Sequence, residues 1–384
     1  MYFDFKIPAP IIFGAGSVSV LGEKVKGMGC KKVLIVCEKQ IEDAGIVAKA
    51  VKSLAAADVG CAIYNGVVAD PHDGIVDAAG EMAKREGADG IVGIGGGSSL
   101  DAAKAATILL ENPGPAAQYI CAVPMFINTK TPLILIPTTS GTGSECTPVA
   151  VISRPDMNAK WSVFVNSSLA IVDPELTLSV PKSVTATTGL DALAHSMEGM
   201  TTVLANVHSD LFAVAAIEKI VKNLPVCCDD PGNLEARIEM SMASNFAGLA
   251  FTSPLVHVGH AIADALSVHL HTPHGYNCAL ALPEAMCVIA PFAPDRIRTI
   301  AKAMGLALTG SETPEQLGKM VADGIRALMR KVGIKSLKEM GYEREKVVGF
   351  VQDVVTSFLS TLCPVKIDEA LAEKLLAGVY DNYQ

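Results

Sequence analysis

The chain has 384 residues, of which half are hydrophobic and 18% are charged, and its formal net charge is −9. A chain of this length is expected to form two or three domains, and its apolar content is ample for their cores. The net negative charge, together with the lack of any basic run longer than the "KK" at 31–32, argues against a nucleic-acid or anionic-membrane surface.

The N-terminal stretch and the cysteines both indicate a cytoplasmic protein. Residues 1–16, "MYFDFKIPAPIIFGAG", lack the basic start and the apolar core of a secretory signal peptide. The ten cysteines are scattered without a C-x-x-C pair. Such cysteines are typical of a reducing compartment, where they act as small buried hydrophobic residues. We therefore expect a cytoplasmic location and no membrane partner.

Apolar runs in the first half predict the strands of a parallel sheet. The runs are "KKVLIVC" (31–37), "DGIVGIGGG" (89–97) and "TPLILIPTTS" (131–140), and each ends in small or polar residues. Near-continuous apolar runs are typical of strands that are covered on both faces. Helix-like stretches at 46–57 and 75–86 complete the alternation, which predicts a doubly wound, Rossmann-like α/β domain.

The pattern changes after "LAIVDPELTLSVP" (169–181) to long Ala-, Leu- and Met-rich segments. We therefore predict an α/β domain at 1–182 and an all-α domain at 183–384. Within the second domain, 240–263 is a stretch of 24 residues without a formal charge, long enough to span a bilayer. Because it contains Ser, Asn, Thr, Pro254 and two histidines, we expect a buried helix instead.

A triple-glycine turn between a strand and a helix predicts a phosphate-binding site. In "IVGIGGGSSLDAAK", the glycines let the backbone approach a pyrophosphate, and Ser98 or Ser99 can cap the helix that follows. Glycines also serve in tight strand–helix turns without any ligand. A second polar loop, "PTTSGTGSE" (137–145), follows a buried strand in the same way and favours a ligand crevice at that edge of the sheet.

Glu38 ends the first predicted strand. A carboxylate at this position typically accepts hydrogen bonds from the adenine ribose diol and repels a 2′-phosphate, which favours NAD over NADP. The stretch "GAGSVSVLG" (14–22) resembles a dinucleotide fingerprint. Because it precedes the first strand–helix unit, we interpret it as a turn.

One carboxylate and several histidines of the second domain predict a divalent-metal site. "GLDALAHSMEG" (189–199) places Asp191 and His195 four residues apart on one helix face, and His260 and His274 follow in the same apolar domain. A single Asp–His pair is more often structural. One carboxylate with three imidazoles, however, matches the donors that divalent metals accept, with room for water or substrate.

Four motifs, in order over nearly the whole chain, resemble the iron-containing (group III) alcohol dehydrogenase family: "GGGSSLDAAK", "PTTSGTGSE", "GLDALAHSMEG" and "GHAIADAL…PHGYNCALALP". The resemblance implies an NAD-binding α/β domain, an all-helical metal domain and a homodimer or larger homo-oligomer. It also implies Fe²⁺, with Zn²⁺ as the alternative ion because zinc binds such donors more tightly. The metal ligands that it implies are Asp191, His195, His260 and His274. The cofactor contacts that it implies are Gly96, Gly97, Ser98, Thr138, Thr139, Ser140, Thr147 and Lys160, with Glu38 at the ribose.

The chain departs from this family close to the metal ligands. Many members have a second histidine four residues after the equivalent of His260, where this chain has Asp264. Asp264 is our candidate catalytic residue, because at that spacing it can orient a histidine, enter the metal shell or relay a proton. We expect His257 to pack or hydrogen-bond. His269 and His271, in the predicted connection between helices, are expected to be solvated or to lie outside the ligand set.

The resemblance implies reversible hydride transfer between NAD(H) and an alcohol or aldehyde. Between residues 183 and 295 the only Lys or Arg residues are Lys219, Lys222 and Arg237, too few for a phosphorylated or carboxylated substrate. We therefore expect a small neutral primary alcohol or aldehyde. A glycerol dehydrogenase-like polyol enzyme is the alternative, although that group resembles a one-Asp, two-His zinc site. The alternatives from other classes are a lyase that uses NAD transiently and a non-catalytic nucleotide-binding sensor.

Overall fold

The computed structural model describes residues 5–157 and 159–384. Residues 1–4, the start of the stretch used to argue against a signal peptide, lie outside the described residues. Contacts divide the described chain into two compact units. The α/β unit consists of Ile7–Thr139 and Gly143–Val180, and the helical unit consists of Pro181–Gln384 together with 5–6 and Ser140–Thr142. The main division therefore follows Val180.

The α/β unit contains two sheets within its described residues. The strands are β1 Ile11–Phe13, β2 Lys32–Glu38, β3 Gly60–Val67, β4 Gly90–Gly95, β5 Met125–Phe126, β6 Leu133–Pro137, β7 Val149–Arg154, β8 Ala159–Phe164 and β9 Leu169–Val172. The six-stranded sheet is parallel throughout and has the order β1-β9-β6-β4-β2-β3. The three-stranded sheet has the order β5-β8-β7, with β7 and β8 antiparallel. The helices are α1 Leu21–Gly27, α2 Lys39–Asp43, α3 Ile46–Ala56, α4 Asp73–Glu86 and α5 Gly97–Glu111.

Side chains of the central strands alternate between two apolar cores. In β2, Leu34 and Val36 pack on the side of α4 and α5, whereas Val33 and Ile35 pack on the side of α1 and α3. β4 and β6 divide their side chains in the same way. Because both faces are covered, these strands appear in the sequence as continuous apolar runs, and the predicted doubly wound fold is confirmed.

The order of the parallel strands creates a switch point between β2 and β4. β3 lies on one side of β2, while β4 and β6 lie on the other. In open α/β sheets, ligands bind beyond the carboxyl ends of the strands that flank such a point. Glu38 ends β2 and Gly95 ends β4. The fold therefore places the ribose-binding candidate and the triple-glycine turn at the same edge.

The glycine-containing stretch 14–22 forms a short 3₁₀ turn leading into α1, as predicted. The backbone amides of Gly16 and Val18 donate to the Asp173 carboxylate at 2.9 and 3.0 Å. These amides are already bonded to an anion that belongs to the fold. The turn therefore serves to join the chain start to the end of β9.

The helical unit contains no strand among its described residues, which confirms the predicted all-α character of the second domain. One large apolar core collects side chains from its helices. The helices are α6 Lys182–Thr201, α7 Val207–Asp229, α8 Leu234–Phe251, α9 Val258–Leu270, α10 His274–Ile289, α11 Pro294–Ala303, α12 Pro314–Val332, α13 Arg344–Val348, α14 Val351–Thr356 and α15 Glu369–Asp381.

We expected the uncharged stretch 240–263 to form one buried helix. The stretch is buried, but it is divided between two helices. α8 ends at Phe251 and α9 begins at Val258, and Leu255 between them has a positive φ of 61°. Pro254 explains the break, because proline lacks the amide hydrogen that a continuing helix needs. Within the described chain, no helix has both the length and the apolar character to cross a membrane.

A buried ion pair joins α5 to the polar loop and to β7. Lys104 has no exposed side-chain surface, lies 3.6 Å from the Asp101 carboxylate and donates to Ser144 Oγ at 2.7 Å. Lys104 also donates to the Val149 carbonyl at 2.6 Å, and Asp101 accepts from the Val151 amide at 3.0 Å. These contacts fix α5, which carries the triple-glycine turn, against the loop that follows β6.

Replacing this lysine tests how much the α/β unit depends on the pair. Lys104→Met leaves the Asp101 carboxylate buried without its cation, so we expect a loss of about 3–5 kcal/mol in unfolding free energy. The chain's one tryptophan, Trp161, lies in β8 of the same unit, and its fluorescence during urea denaturation measures the change. The exposed Lys84→Met on α4 is the control, with an expected change within about 0.5 kcal/mol. Equal midpoints for the two variants would contradict this role.

Candidate active site

Three helices of the helical unit bring the four predicted metal ligands together. Asp191 and His195 lie on α6, His260 lies on α9 and His274 begins α10. Asp191 Oδ1 is 3.8 Å from Nε2 of His195 and of His260, and 3.9 Å from Nε2 of His274. His274 is 32% exposed at its side chain, whereas the other three are buried. Three imidazole nitrogens thus converge on one carboxylate oxygen.

Three atoms of this cluster are buried without a hydrogen-bond partner in the described structure: Asp191 Oδ1, His195 Nδ1 and His260 Nε2. Buried polar atoms are normally paired, because an unpaired one costs about 1–3 kcal/mol. Asp191 Oδ1 and His260 Nε2 lie 3.8 Å apart, and because both accept when the imidazole is neutral, they fit a cation placed between them. One carboxylate with several imidazoles is also a donor set that ferrous iron and zinc accept.

Glu198 is a member of this site that the sequence analysis missed. It is fully buried on α6, and its Oε1 lies 2.9 Å from Nδ1 of His260. Its Oε2 accepts the backbone amide of His257, just before α9, at 2.8 Å. Since an ionised carboxylate only accepts, His260 Nδ1 carries a proton, and in the neutral imidazole the Nε2 lone pair faces Asp191. The available signal was the spacing of Asp191, His195 and Glu198, which share one helix face.

The electrostatics of the cluster favour a positive charge. Burial raises the pKa of Glu198, but His260 and His257 outweigh it and lower that pKa to about 2. Burial lowers the pKa of His260, but Glu198 and Asp191 outweigh it and raise that pKa to about 9. At His195 burial dominates and lowers the pKa to about 4. His195 is therefore a neutral imidazole, and the carboxylates of Glu198 and Asp191 favour a positive charge at His260.

Asp264 lies behind His274. Its Oδ1 is 3.5 Å from His274 Nδ1, the ring nitrogen opposite the one that faces Asp191. Both side chains are 32% exposed. Of the three roles that the sequence left open for Asp264, this contact favours orientation of a histidine, because a carboxylate behind a ring fixes its tautomer.

The other histidines make contacts of their own. His257 is fully buried, and its Nε2 lies 2.8 Å from Thr201 Oγ1, as predicted for a hydrogen-bonded residue. His269 lies in the last turn of α9 and not in the connection that we predicted, because α9 extends to Leu270. Its Nε2 is 3.2 Å from an Asp353 carboxylate oxygen. His271 ends α9 in the left-handed conformation, with φ of 54°.

A thiol lies among the metal-binding candidates. Cys278, one turn after His274 on α10, is 1% exposed, and its Sγ is 3.5 Å from His274 Nε2. One donor atom from each of Asp191, His260, His274 and Cys278 lies within 4.8 Å of the others. Burial and the Asp191 charge raise the pKa of this thiol well above its usual value. The sequence analysis had treated every cysteine as a small hydrophobic residue.

Three of the predicted cofactor residues meet at the carboxyl edge of the sheet in the α/β unit. A Cβ built at Gly96 would lie 3.7 Å from Thr139 Oγ1 and 3.8 Å from Glu38 Oε1. Gly97 and Ser98 form the first turn of α5, which no side chain caps. The predicted serine cap is therefore wrong, because Gly96 occupies the cap position and Ser99 donates to Glu38 at 2.8 Å. An uncapped helix start favours an anion.

The remaining uncharged candidates are less accessible. Thr138 is fully buried, and its Oγ1 has no hydrogen-bond partner among the described residues. Thr147 is 1% exposed at the end of the polar loop. Ser140 belongs to the helical unit, where its Oγ is 3.1 Å from Ser241 Oγ. The side chains of these three residues are therefore buried within the protein and are little exposed to a ligand.

The two charged candidates already have partners within the α/β unit. Lys160 donates to the Asp70 carboxylate at 2.7 Å. Burial raises the pKa of Glu38, while hydrogen bonds from Ser99 and Gly96 oppose that shift. A ligand at the carboxyl edge of the large sheet would therefore meet an oriented carboxylate at Glu38, whereas Lys160, in β8 of the smaller sheet, is held by Asp70.

Comparisons with known proteins identify the family. Residues 8–174 match the model of the iron-containing alcohol dehydrogenases, and residues 185–380 match the C-terminal part of that family. Choline dehydrogenase of Bacillus subtilis (strain 168) is 33% identical over 351 residues, which cover 90% of this chain and 87% of that protein. The chain belongs to the iron-containing alcohol dehydrogenase family. It is an enzyme of the NAD-dependent alcohol dehydrogenase or aldehyde reductase class.

Solved structures agree with this assignment. A 1,3-propanediol oxidoreductase matches with a TM-score of 0.93 and 30% identity, over 99% of this chain and 100% of that one. A sulfoacetaldehyde reductase from Bifidobacterium kashiwanohense, solved in complex with NAD⁺, matches with a TM-score of 0.88 and 29% identity, over 99% of each chain.

Substitutions at two neighbouring glycines can distinguish an effect on cofactor binding from an effect on folding. A Cβ at Gly96 meets its neighbours at ordinary van der Waals distance, so Gly96→Ala is expected to fold normally while its methyl group fills the space between Glu38 and Thr139. A Cβ at Gly95 would lie 2.5 Å from Ser99 Oγ and 2.6 Å from Glu38 Oε2, so Gly95→Ala is expected to destabilise the unit. NADH titration should show weaker binding for Gly96→Ala with unchanged thermal stability. Unchanged NADH affinity in that variant would place the cofactor elsewhere.

Proposed function

We propose that the chain transfers hydride reversibly between NAD(H) and a small neutral primary alcohol or its aldehyde, with Fe²⁺ bound by Asp191, His195, His260 and His274. The observation that carries this proposal is that Asp191 Oδ1 and His260 Nε2 are buried 3.8 Å apart without a hydrogen-bond partner, in a cluster of convergent metal-binding groups. Such a pair is unfavourable for the protein alone and favourable with a cation.

A divalent metal supplies Lewis acidity, which polarises a substrate oxygen and lowers the pKa of an alcohol. The protein contributes the orientation of the donors. Glu198 keeps the proton on His260 Nδ1, and Asp264 holds the one on His274 Nδ1, so that both Nε2 lone pairs are presented toward Asp191. The burial of Asp191, His195 and His260 excludes water from their side of the cluster.

The cofactor side of the proposal rests on the carboxyl edge of the sheet. Glu38 stands where it can accept from a ribose diol, and the uncapped start of α5 favours a pyrophosphate. The carboxylate also repels a 2′-phosphate, which supports NAD as the cofactor. Gly96, Gly97 and Ser98 supply the close backbone approach.

The proposed charge of the substrate rests on the basic residues of this chain, because the substrates named for its relatives differ in charge. The names of the relatives above include a cation (choline), a neutral diol and an anion (sulfoacetaldehyde), and each contains a primary alcohol or an aldehyde. In the helical unit, Lys219 forms an ion pair with Glu239, and the buried Arg237 donates to Thr185 Oγ1 at 3.0 Å. Two of the three basic groups near the ligands in sequence are thus engaged, which supports a neutral substrate.

A polyol is the second candidate substrate, since the family includes relatives named for a diol. His195 counts against the glycerol dehydrogenase-like alternative, because it adds an imidazole to the one-Asp, two-His set of that group. The cytoplasmic location and the homo-oligomeric state stay predictions.

Metal replacement tests the proposal directly. The full chain is stripped of metal anaerobically, reloaded with Fe²⁺ or Zn²⁺, and NADH oxidation is followed with short neutral aldehydes, with dihydroxyacetone and with the anion glyoxylate. We expect one ion to raise the rate with neutral aldehydes by at least about 100-fold, since Lewis-acid stabilisation is worth several kcal/mol. Preference for dihydroxyacetone would favour the polyol enzyme. NADH binding without consumption under every metal would sink the proposal.

Asp264→Asn tests the orientation of His274. An amide supports the required tautomer less strongly than a carboxylate, so we expect kcat to fall by about 10–100-fold. The affinity for NADH is expected to stay unchanged, because Asp264 makes its observed contact with a metal-ligand candidate. Asp353→Asn is the matched control, since it removes a carboxylate from another histidine, His269. A normal kcat in Asp264→Asn would leave Asp264 without a part in the reaction.

A further inference from the structure

The donor atoms around Asp191 include one sulfur. Cys278 Sγ is 3.5 Å from His274 Nε2, and its donor atom lies within 4.8 Å of those of Asp191 and His260. In tetrahedral metal sites with ligand bonds of about 2.0–2.1 Å to nitrogen and 2.3 Å to sulfur, a nitrogen and a sulfur are separated by about 3.5 Å. The distance between the thiol and His274 therefore already equals the distance expected between two ligands of one ion. The distances from the Asp191 oxygen to the imidazoles, 3.8–3.9 Å, exceed the expected value by a few tenths of an ångström.

The backbone places this thiol firmly. His274 and Cys278 are four residues apart on α10 and share one face of the helix. α10 approaches α6 closely at Gly275, where a Cβ would come within 3.1 Å of Asp191 Cβ. Because Cys278 is 1% exposed and follows this contact by one turn, its sulfur is held beside the buried Asp191 Oδ1 that lacks a hydrogen-bond partner.

We propose that Cys278 joins the metal ligands of the proposed function, binding the ion as a thiolate beside Asp191, His260 and His274. The proposal rests on the metal site of the proposed function and deepens it. The thiol proton is released to solvent when the ion binds, and the cation takes its place beside the sulfur. A sulfur ligand shifts the preference of the site toward softer ions, so that Cd²⁺, Zn²⁺ and Co²⁺ gain over Mg²⁺ and Mn²⁺.

Cobalt substitution tests the proposal by a readout that does not depend on turnover. The metal-free full chain is titrated anaerobically with Co²⁺, and the near-ultraviolet charge-transfer band of a thiolate–cobalt bond is recorded beside the visible bands of the ion. We expect one equivalent of Co²⁺ to produce both sets of bands. Cys278→Ala and Cys278→Ser should lose the charge-transfer band and keep visible bands, and circular dichroism confirms that they are folded.

Cys287→Ala is the matched control, because Cys287 lies on the same helix and is partly exposed. It should keep the charge-transfer band. In competition with a chelator, the Cys278 variants should bind Cd²⁺ at least about 10–100-fold more weakly, the loss that even an outer partner of a ligand causes. Their affinity for Mn²⁺ should change much less, since the oxygen and nitrogen donors remain.

Three results would overturn the proposal. Visible cobalt bands without a charge-transfer band in the unmodified chain would leave Cys278 as a thiol bonded to His274, with the metal site intact. A charge-transfer band that persists in both Cys278 variants would assign the sulfur to another cysteine. Absence of any bound Co²⁺ would remove the metal site itself, and with it the proposed function.

Discussion

The hydrogen bond between Glu198 and His260 is the contact on which the arrangement of the donor cluster depends. Glu198 reaches from α6 to the first turn of α9, where it binds both the ring of His260 and the backbone amide of His257. A side chain at Gly259 would collide with Glu198 Oε1, so the glycine leaves the space in which the carboxylate is buried. One carboxylate thereby sets the start of a helix and the direction of a ligand lone pair.

Each unit holds its candidate site with charges that are buried inside the protein. In the α/β unit, Lys104 and Asp101 fix the helix after the triple-glycine turn to the polar loop. In the helical unit, the buried Glu198 carboxylate fixes His260 and the start of α9 in the same way. Removing one partner of a buried pair is strongly destabilising, because the other charge cannot reach water. This dependence makes the positions of the loops and of the imidazoles reproducible from molecule to molecule.

The sequence predicted the features that follow from periodicity and composition. The parallel strands were recognisable because both of their faces are buried, and the four oxygen and nitrogen donors because Asp191, His195, His260 and His274 are unusual residues in an apolar domain. Features that depend on a distant partner were not recognisable. Glu198 looks in sequence like any glutamate on a helix, and Cys278 looks like a core residue.

The sequence pattern also failed to predict a helix cap, a hairpin and the end of a helix. Ser99 could have capped α5 by its position, but the carboxylate of Glu38, 61 residues earlier in the chain, takes its hydroxyl. The β7–β8 hairpin was missed because its residues are only partly buried and give no continuous apolar run. His269 was predicted to lie in the connection between helices, but α9 runs to Leu270 and includes it.

A metal bound at the unpaired atoms of Asp191 and His260, as proposed above, would link the persistence of the folded enzyme to the supply of that metal. A ligand that binds only the folded state adds stability in proportion to the logarithm of its concentration, about 2.7 kcal/mol at 100 times its dissociation constant. A cell that runs short of the ion would then lose the protein as well as its activity, since chains with buried unsatisfied charges open more often and reach proteases sooner. The abundance of the enzyme would thus depend on the supply of the ion.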